Sequence, residues 1–91
     1  MIRVHPGEIL ADELEARNMS ANALALKMRV PANRLTEIIK GRRAVSPETA
    51  LRLGRCLGTG PEMWLRLQAS YDLQEAQKTL GAAIEREVER A

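Results

Sequence analysis

The side chains best suited to chemistry lie between Ala32 and Lys40, in a segment whose apolar residues recur at helical spacing. At 100° per residue, the apolar residues of this segment fall on one side of a helix and a polar set falls on the other. The outward set comprises Asn33, Glu37 and Lys40, flanked by Ala32 and Thr36, with Arg34 at its edge. Asparagine can bind adenine bidentately, threonine and alanine can touch a thymine methyl group, and glutamate can accept from cytosine. The predicted chemistry is the reading of base edges in a major groove.

Positive charge is concentrated around this segment. Residues 20–43 hold six basic side chains against one acid, a net charge of +5, whereas residues 1–19 carry −2 and residues 44–91 carry −1. Lys40, Arg42 and Arg43 leave the helix together, and we expect them to grip phosphate. Ser20 and Asn22, at the start of the preceding helix, are expected to add hydrogen bonds to phosphate. The alternative interpretation of this cluster is a solvated basic face on a small bundle.

Two short helices are predicted to position these residues. Ser20 is typical of an N-cap, and the apolar residues after it occupy a single helical face at Ala21, Leu24, Ala25 and Met28. Pro31 favours the start of the next helix and Gly41 favours its end. Two amphipathic helices joined by a tight turn indicate a helix-turn-helix, whose second helix lies in the major groove.

The remaining segments predict three further helices, and 91 residues make one domain. One helix starts at Pro6 and stops near Asn18, one runs from Ser46 to Gly58, and one starts at Gly60. The expected fold is an all-α bundle of five helices with an extended C-terminal helix. Because Asp72 begins a sequence that resembles a capping box, this last helix either runs to about Leu80 or breaks and restarts. We predict a domain for DNA binding and dimerisation over residues 1–80 and a charged tail over residues 81–91.

The fifth helix carries more large apolar side chains than one buried stripe can use. Part of this surplus, Trp64 in particular, is expected in the core, and the remainder predicts an exposed patch for dimerisation. The residues assigned to the dimer interface are Met63, Trp64, Leu67, Tyr71 and Leu73. The alternative is a helix that serves the core alone.

Catalysis finds little support in the sequence. The chain has one histidine, His5, and one cysteine, Cys56, far apart in sequence, so no set of nucleophile, base and orienting group is indicated. His5 is expected to be a capping or surface residue and Cys56 a small apolar filler. No metal-ligand cluster and no glycine-rich phosphate loop are found, so we expect neither an enzyme nor a cofactor. Without an apolar run long enough for a signal peptide or membrane span, the expected location is the cytoplasm.

Several blocks of the sequence resemble the HigA-type antitoxins, helix-turn-helix proteins of the Cro/repressor-like superfamily. This resemblance implies a five-helix bundle with a lambda-repressor-like helix-turn-helix. The blocks are His5-Pro6-Gly7-Glu8-Ile9-Leu10, Leu35 to Arg43, Thr49 to Leu53, Pro61 to Gln68 and Tyr71-Asp72-Leu73. The resemblance covers about residues 4–77. Two positions depart from the superfamily pattern, since Arg29 stands in the turn where glycine is frequent and Pro31 stands where a serine or threonine cap is common. The turn is therefore expected to be strained or differently shaped.

The resemblance implies a role with two parts. Members of the family neutralise a HigB-type RNA-cleaving toxin by binding it, and they repress their own operon as dimers on palindromic operators. The implied reading positions are Ala32, Asn33, Thr36 and Glu37, and the implied dimer contacts come from the C-terminal helix. The alternatives are a stand-alone dimeric repressor without a toxin partner and a protein-binding module that no longer reads DNA. The acidic first helix and the tail after Gly81 are both candidates for the toxin-binding surface.

Overall fold

The computed structural model describes residues 4–91 and contains five α-helices and no strand in that part of the chain. The helices are α1 (Pro6–Ala16), α2 (Ala21–Met28), α3 (Ala32–Ile39), α4 (Pro47–Leu57) and α5 (Glu62–Glu87). The predicted all-α, five-helix fold is confirmed.

The helix termini follow the capping residues of the sequence. The Ser20 Oγ accepts a hydrogen bond from the Ala23 N–H at 3.1 Å, and the Ser46 Oγ accepts from the Thr49 N–H at 3.2 Å. Each hydroxyl thereby satisfies a donor that the first turn of its helix leaves unpaired. Pro31 has an extended backbone and precedes α3 as its N-cap without a side-chain hydrogen bond, so α3 begins one residue later than predicted.

The core is formed by apolar side chains from all five helices. The largest fully buried side chains are Trp64, Leu10, Leu24, Leu35, Ile38, Leu53 and Pro6. Two glycines allow the helices to meet closely. A Cβ at Gly7 would collide with the backbone at Ile38, and a Cβ at Gly54 would collide with the backbone just before α5. The close approach at Gly7 therefore fixes α1 against the C-terminal end of α3.

His5 is the N-cap of α1, as the sequence predicted. Its Nδ1 accepts from the Gly7 N–H at 2.9 Å, and its own N–H donates to the Glu8 Oε2 at 3.0 Å, which completes a capping box. The ring is buried and makes an edge-to-face contact with Tyr71 of α5, with centroids 4.8 Å apart. The hydrogen bonds of His5 therefore cap α1, and its ring joins α1 to α5.

The fifth helix is longer than predicted. It has 26 residues, about 39 Å at 1.5 Å per residue, and it continues without a break through Asp72 and past Gly81 to Glu87. The predicted alternative of a break near Asp72 is wrong, because packing and helix continuity prevail over a local capping pattern. Trp64 and Gln68 are its buried residues, so its second half extends away from the bundle. The division of the chain at residue 80 stays a prediction, with α5 running across it.

Candidate nucleic-acid interface

The orientation of α3 is the one that its helical angles predict. Leu35 and Ile38 are fully buried, whereas Asn33 and Lys40 on the opposite side are exposed. Ala32, Thr36 and Glu37 are half-buried and lie beside them. The residues predicted to read bases therefore lie together on one outward face of a helix that is fixed by two fully buried side chains.

Two polar groups on this face are available to a partner. The Thr36 hydroxyl donates to the Asn33 backbone oxygen at 3.3 Å, so its hydrogen is used within the helix. Within residues 4–91, neither the Asn33 amide nor the Glu37 carboxylate has a hydrogen bond to another side chain. An amide that donates and accepts and a carboxylate that only accepts are the groups that distinguish bases by hydrogen bonding.

The basic residues after α3 lie at a defined turn. Gly41 adopts the left-handed conformation (φ 74°), and the Arg42 N–H donates to the Glu37 oxygen at 2.9 Å, which ends the helix. Lys40, Arg42 and Arg43 are exposed, and in the described part of the chain none of them takes part in an ion pair. Three uncompensated cations next to a polar helix face favour contact with a phosphate backbone.

The start of α2 supplies the other polar flank. Ser20 caps the helix through its oxygen, which leaves its hydroxyl hydrogen free to donate, and Asn22 is exposed in the first turn. That turn holds no acid. The positive end of the α2 dipole is therefore not neutralised by its own side chains, which suits an anion.

Arg34 is the exception among the predicted contacts. Its side chain is only 21% exposed, and its Nη1 lies 3.6 Å from the Glu48 Oε2 of α4. That Nη1 is buried and makes no hydrogen bond within the described residues. Arg34 therefore joins α3 to α4 rather than extending from the reading face, a pairing between helices that helical angles could not reveal.

The carboxylate of Glu48 connects two arginines that brace the motif. Arg52 donates to its Oε2 at 3.1 Å and also donates to the Met28 oxygen at the end of α2, at 2.9 Å. The hydrogen bond from Arg52 and the charge of Arg34 lower the pKa of Glu48 below its usual value. Through these contacts α4 holds both helices of the motif, α2 by Arg52 and α3 by Glu48.

The turn between α2 and α3 is made with an arginine. Arg29 adopts the left-handed conformation (φ 59°, ψ 48°), and the Val30 N–H reaches back to the Ala25 oxygen at 3.1 Å. A non-glycine residue in this conformation costs about 1–3 kcal/mol. The prediction of a strained turn therefore agrees with the backbone, while the turn keeps an ordinary helix-ending hydrogen bond.

The residues assigned to a dimer interface are divided by the structure. Trp64 is fully buried and its Nε1 donates to the Thr59 Oγ1 at 2.9 Å, so it belongs to the core and not to an exposed surface. Met63 and Leu67 are half-buried against the core, and the half-buried Tyr71 packs on His5. Leu73 remains as the exposed member of the set, at 60%.

A larger apolar surface begins at that leucine. Small and large residues alternate along the exposed side of α5 at intervals of four and three, namely Ala69, Leu73, Ala76, Leu80 and Ala83. Leu80 and Ile84 are about half exposed. This heptad spacing is typical of a helix that pairs with another helix. We call these five residues together with Ile84 the α5 stripe.

No group of three or more histidine, cysteine, aspartate or glutamate side chains within residues 4–91 could hold a metal ion.

In the described part of the chain, no helix combines the length and the hydropathy needed to cross a membrane.

Comparison with known families agrees with the motif. A helix-turn-helix family model matches residues 10–65, more than half of the chain. The chain is 42% identical over 79 residues to virulence-associated protein I of Dichelobacter nodosus, covering 86% of this chain and 73% of that protein. It is 38% identical over 71 residues to antitoxin HigA-1 of Vibrio cholerae, covering 77% of this chain and 67% of that protein.

Solved structures extend the similarity over the whole chain. An addiction module antidote protein of the HigA family from Coxiella burnetii superposes with a TM-score of 0.95 at 49% identity, covering all of both chains. Antitoxin HigA of Pseudomonas aeruginosa, solved with the higBA promoter, gives a TM-score of 0.93 at 39% identity over 97% of each chain. Antitoxin GraA in complex with its operator gives 0.91 at 41% identity, covering 100% of this chain and 93% of that one. This chain belongs to the helix-turn-helix family and, within it, to the HigA-type antitoxins of the Cro/repressor-like superfamily.

Proposed function

We propose that this chain is an antitoxin with two activities. It represses its own operon as a dimer on palindromic operator DNA, and it neutralises a HigB-type mRNA-cleaving toxin by binding it directly. The observation that carries the DNA-binding part is the outward face of α3, where, within residues 4–91, the Asn33 and Glu37 side chains pair with no other side chain and lie between a basic and a polar flank. The likeness to a HigA solved with its promoter and to GraA bound to its operator supports the same assignment.

In this proposal α3 enters the major groove, and its outward residues make different contacts with the DNA. Asn33 pairs with adenine, Glu37 accepts from the amino group of cytosine, and Ala32 and Thr36 contact thymine methyl groups. The exposed cations Lys40, Arg42 and Arg43 bind phosphates, as do Ser20 and Asn22 across the groove. Arg34 is left out of the interface because Glu48 holds it against α4.

Replacement of Asn33 by alanine tests the base-reading part. A bidentate contact discriminates by about 1–3 kcal/mol and a dimer loses one in each half-site, so Asn33→Ala should bind the operator at least about 30-fold more weakly and bind unrelated DNA as the parent does. Fluorescence anisotropy with the operator and a scrambled duplex measures both. Lys78→Ala is the control, because Lys78 is exposed on α5, away from α3 and on the side of the helix opposite the α5 stripe. Equal binding of the operator by Asn33→Ala and the parent would show that α3 does not read bases.

The α5 stripe supports the dimer. Exposed leucines at heptad spacing, alternating with alanines that let backbones approach closely, fit a symmetric pairing of two α5 helices. Leu80→Glu should give a monomer in sedimentation velocity, since two carboxylates would then face each other in an apolar interface. The matched control is Leu51→Glu, which changes a leucine of similar exposure on α4 and should leave the dimer intact. A parent protein that sediments as a monomer at micromolar concentration would contradict this part.

The toxin-binding part rests on the likeness to antitoxins. We expect a neighbouring gene to encode a small basic ribonuclease-like protein that co-purifies with this chain and is harmless when the two are expressed together in the cytoplasm. Asp12→Lys and Glu15→Lys on the exposed face of α1, compared with removal of residues 88–91, would assign the binding surface. If co-expression does not rescue growth, the stand-alone repressor without a toxin partner is the better description.

A further inference from the structure

Gln68 is a buried polar residue whose role sequence analysis did not identify. It lies on the inner side of α5 and is 7% exposed. Its Oε1 accepts from the Val45 N–H at 2.8 Å, and its Nε2 donates to the Asp72 Oδ1 at 2.9 Å. The side chain therefore connects α5 with the segment that leads from α3 into α4.

The chemistry of the two partners fixes how this amide is oriented. A backbone N–H can only donate and a carboxylate can only accept, so one orientation of the Gln68 amide satisfies both. Asp72, one helical turn further along α5, thereby aims the Gln68 oxygen at Val45. Val45 is 3% exposed, and a buried N–H requires a partner.

Residues 41–45 form a loop after α3, which we call the basic loop, and this contact anchors one end of it. The other end is fixed to α3, where the Gly41 N–H donates to the Ile38 oxygen and the Arg42 N–H donates to the Glu37 oxygen, both at 2.9 Å. Between these anchors Arg43 makes no backbone–backbone hydrogen bond within residues 4–91, and neither does Ala44. The place of Arg43 is consequently set by the two ends of its loop, and Gln68 holds one of them.

We propose that Gln68 is a positioning residue for operator binding. It holds the loop that carries Arg43 in the position from which the Arg43 side chain reaches the phosphate backbone. This inference rests on the proposed DNA-binding function and deepens it. Gln68 itself does not contact DNA. It transmits the position of α5 to a phosphate-binding side chain through a single buried hydrogen bond.

A double-mutant cycle distinguishes positioning from general destabilisation. Gln68→Met fills the same space without either hydrogen bond, and it should lower operator affinity and flatten its dependence on salt. Combined with Arg43→Ala, it should add little to the loss that Arg43→Ala causes alone, because the residue it positions is already absent. Combined with Asn33→Ala, the two losses should multiply, because Asn33 is held by α3 and not by the loop.

A second pair of variants leaves the buried amide in place. Asp72 is exposed, so Asp72→Ala removes only the group that orients Gln68 and should weaken operator binding, while Asp72→Asn keeps an acceptor and should restore it. Circular dichroism confirms that each variant is folded. Losses that multiply in the cycle with Arg43→Ala, or an Asp72→Ala variant that binds like the parent, would overturn the positioning role. Unchanged binding by Arg43→Ala and Asn33→Ala would instead overturn the proposed DNA-binding surface.

Discussion

The proposed binding of phosphate by Arg43 gives a quantitative prediction for Arg43→Ala. Arg43 is exposed and has no acidic partner in the described chain, so its charge is fully available to a phosphate. Its removal should weaken binding to all DNA sequences alike. This distinguishes it from Asn33, whose removal should weaken binding to the operator alone.

The magnitude follows from counterion release. Each neutralised phosphate contributes a slope of about 0.9 to the dependence of log K on log salt concentration. A dimer loses two such contacts, so the slope should become shallower by about 1.8. Taken relative to 1 M salt, where the counterion contribution is zero, this slope predicts binding about 60-fold weaker than the parent in 0.1 M salt and about 3- to 4-fold weaker in 0.5 M salt.

Titration of the operator at several salt concentrations between these limits measures the slope for both proteins. Lys78→Ala removes one positive charge from the side of α5 opposite the α5 stripe and should keep the slope of the parent. If Arg43→Ala and the parent differ by the same factor in low and high salt, Arg43 does not neutralise a phosphate. The assignment of the loop as a phosphate-binding element would then be refuted.

Three further predictions concern stability. Gly54→Ala should lower the free energy of unfolding in urea by about 1–3 kcal/mol, because the added Cβ meets backbone at the start of α5; a variant as stable as the parent would contradict the close packing. Arg29→Gly should raise the free energy of unfolding by up to about 2 kcal/mol, because relief of the left-handed strain outweighs the chain entropy that glycine adds to the unfolded state, whereas Arg29→Val should lower it, since a β-branched residue tolerates that conformation poorly; equal stabilities would count against the turn geometry. The lowered pKa of Glu48 stabilises the fold above the unfolded-state pKa, and this contribution is lost as pH falls through the folded-state value. Glu48→Gln should therefore show a flatter acid limb in thermal melts, and parallel curves for both proteins would exclude the effect.

The parts of the fold that can be predicted from the sequence are those determined by residues within one helical turn of each other. Ser20 and Ser46 cap the residues that immediately follow them, so their neighbours suffice to identify two helix starts. The outward face of α3 is equally local. Its angles follow from the spacing of Leu35 and Ile38, and burial of these two residues places Asn33 on the other side.

The features that sequence reasoning misses depend on partners from other helices. Arg34 has the spacing of a DNA contact, but Glu48 of α4 holds it, and no pattern within α3 reveals that partner. Gln68 stabilises a loop that lies 23 residues earlier in the chain. Asp72 has the sequence context of a cap, yet it lies within a continuous helix and accepts from Gln68. In each case a long-range contact determines what a polar side chain does.

The continuity of α5 has a consequence for the spacing of the two DNA-binding motifs in the proposed dimer. One continuous helix joins Trp64, which is buried in the bundle, to Leu80 in the surface proposed to pair the protomers. Inserting one residue between them would rotate the DNA-binding motif of each protomer by about 100° and shift it by about 1.5 Å relative to the paired part of its own α5. Four inserted residues would bring the motifs back to within about 40° of their starting phase. If the protomers pair as proposed, the register of a single helix sets the distance and phase between operator half-sites, although that helix carries none of the proposed base contacts.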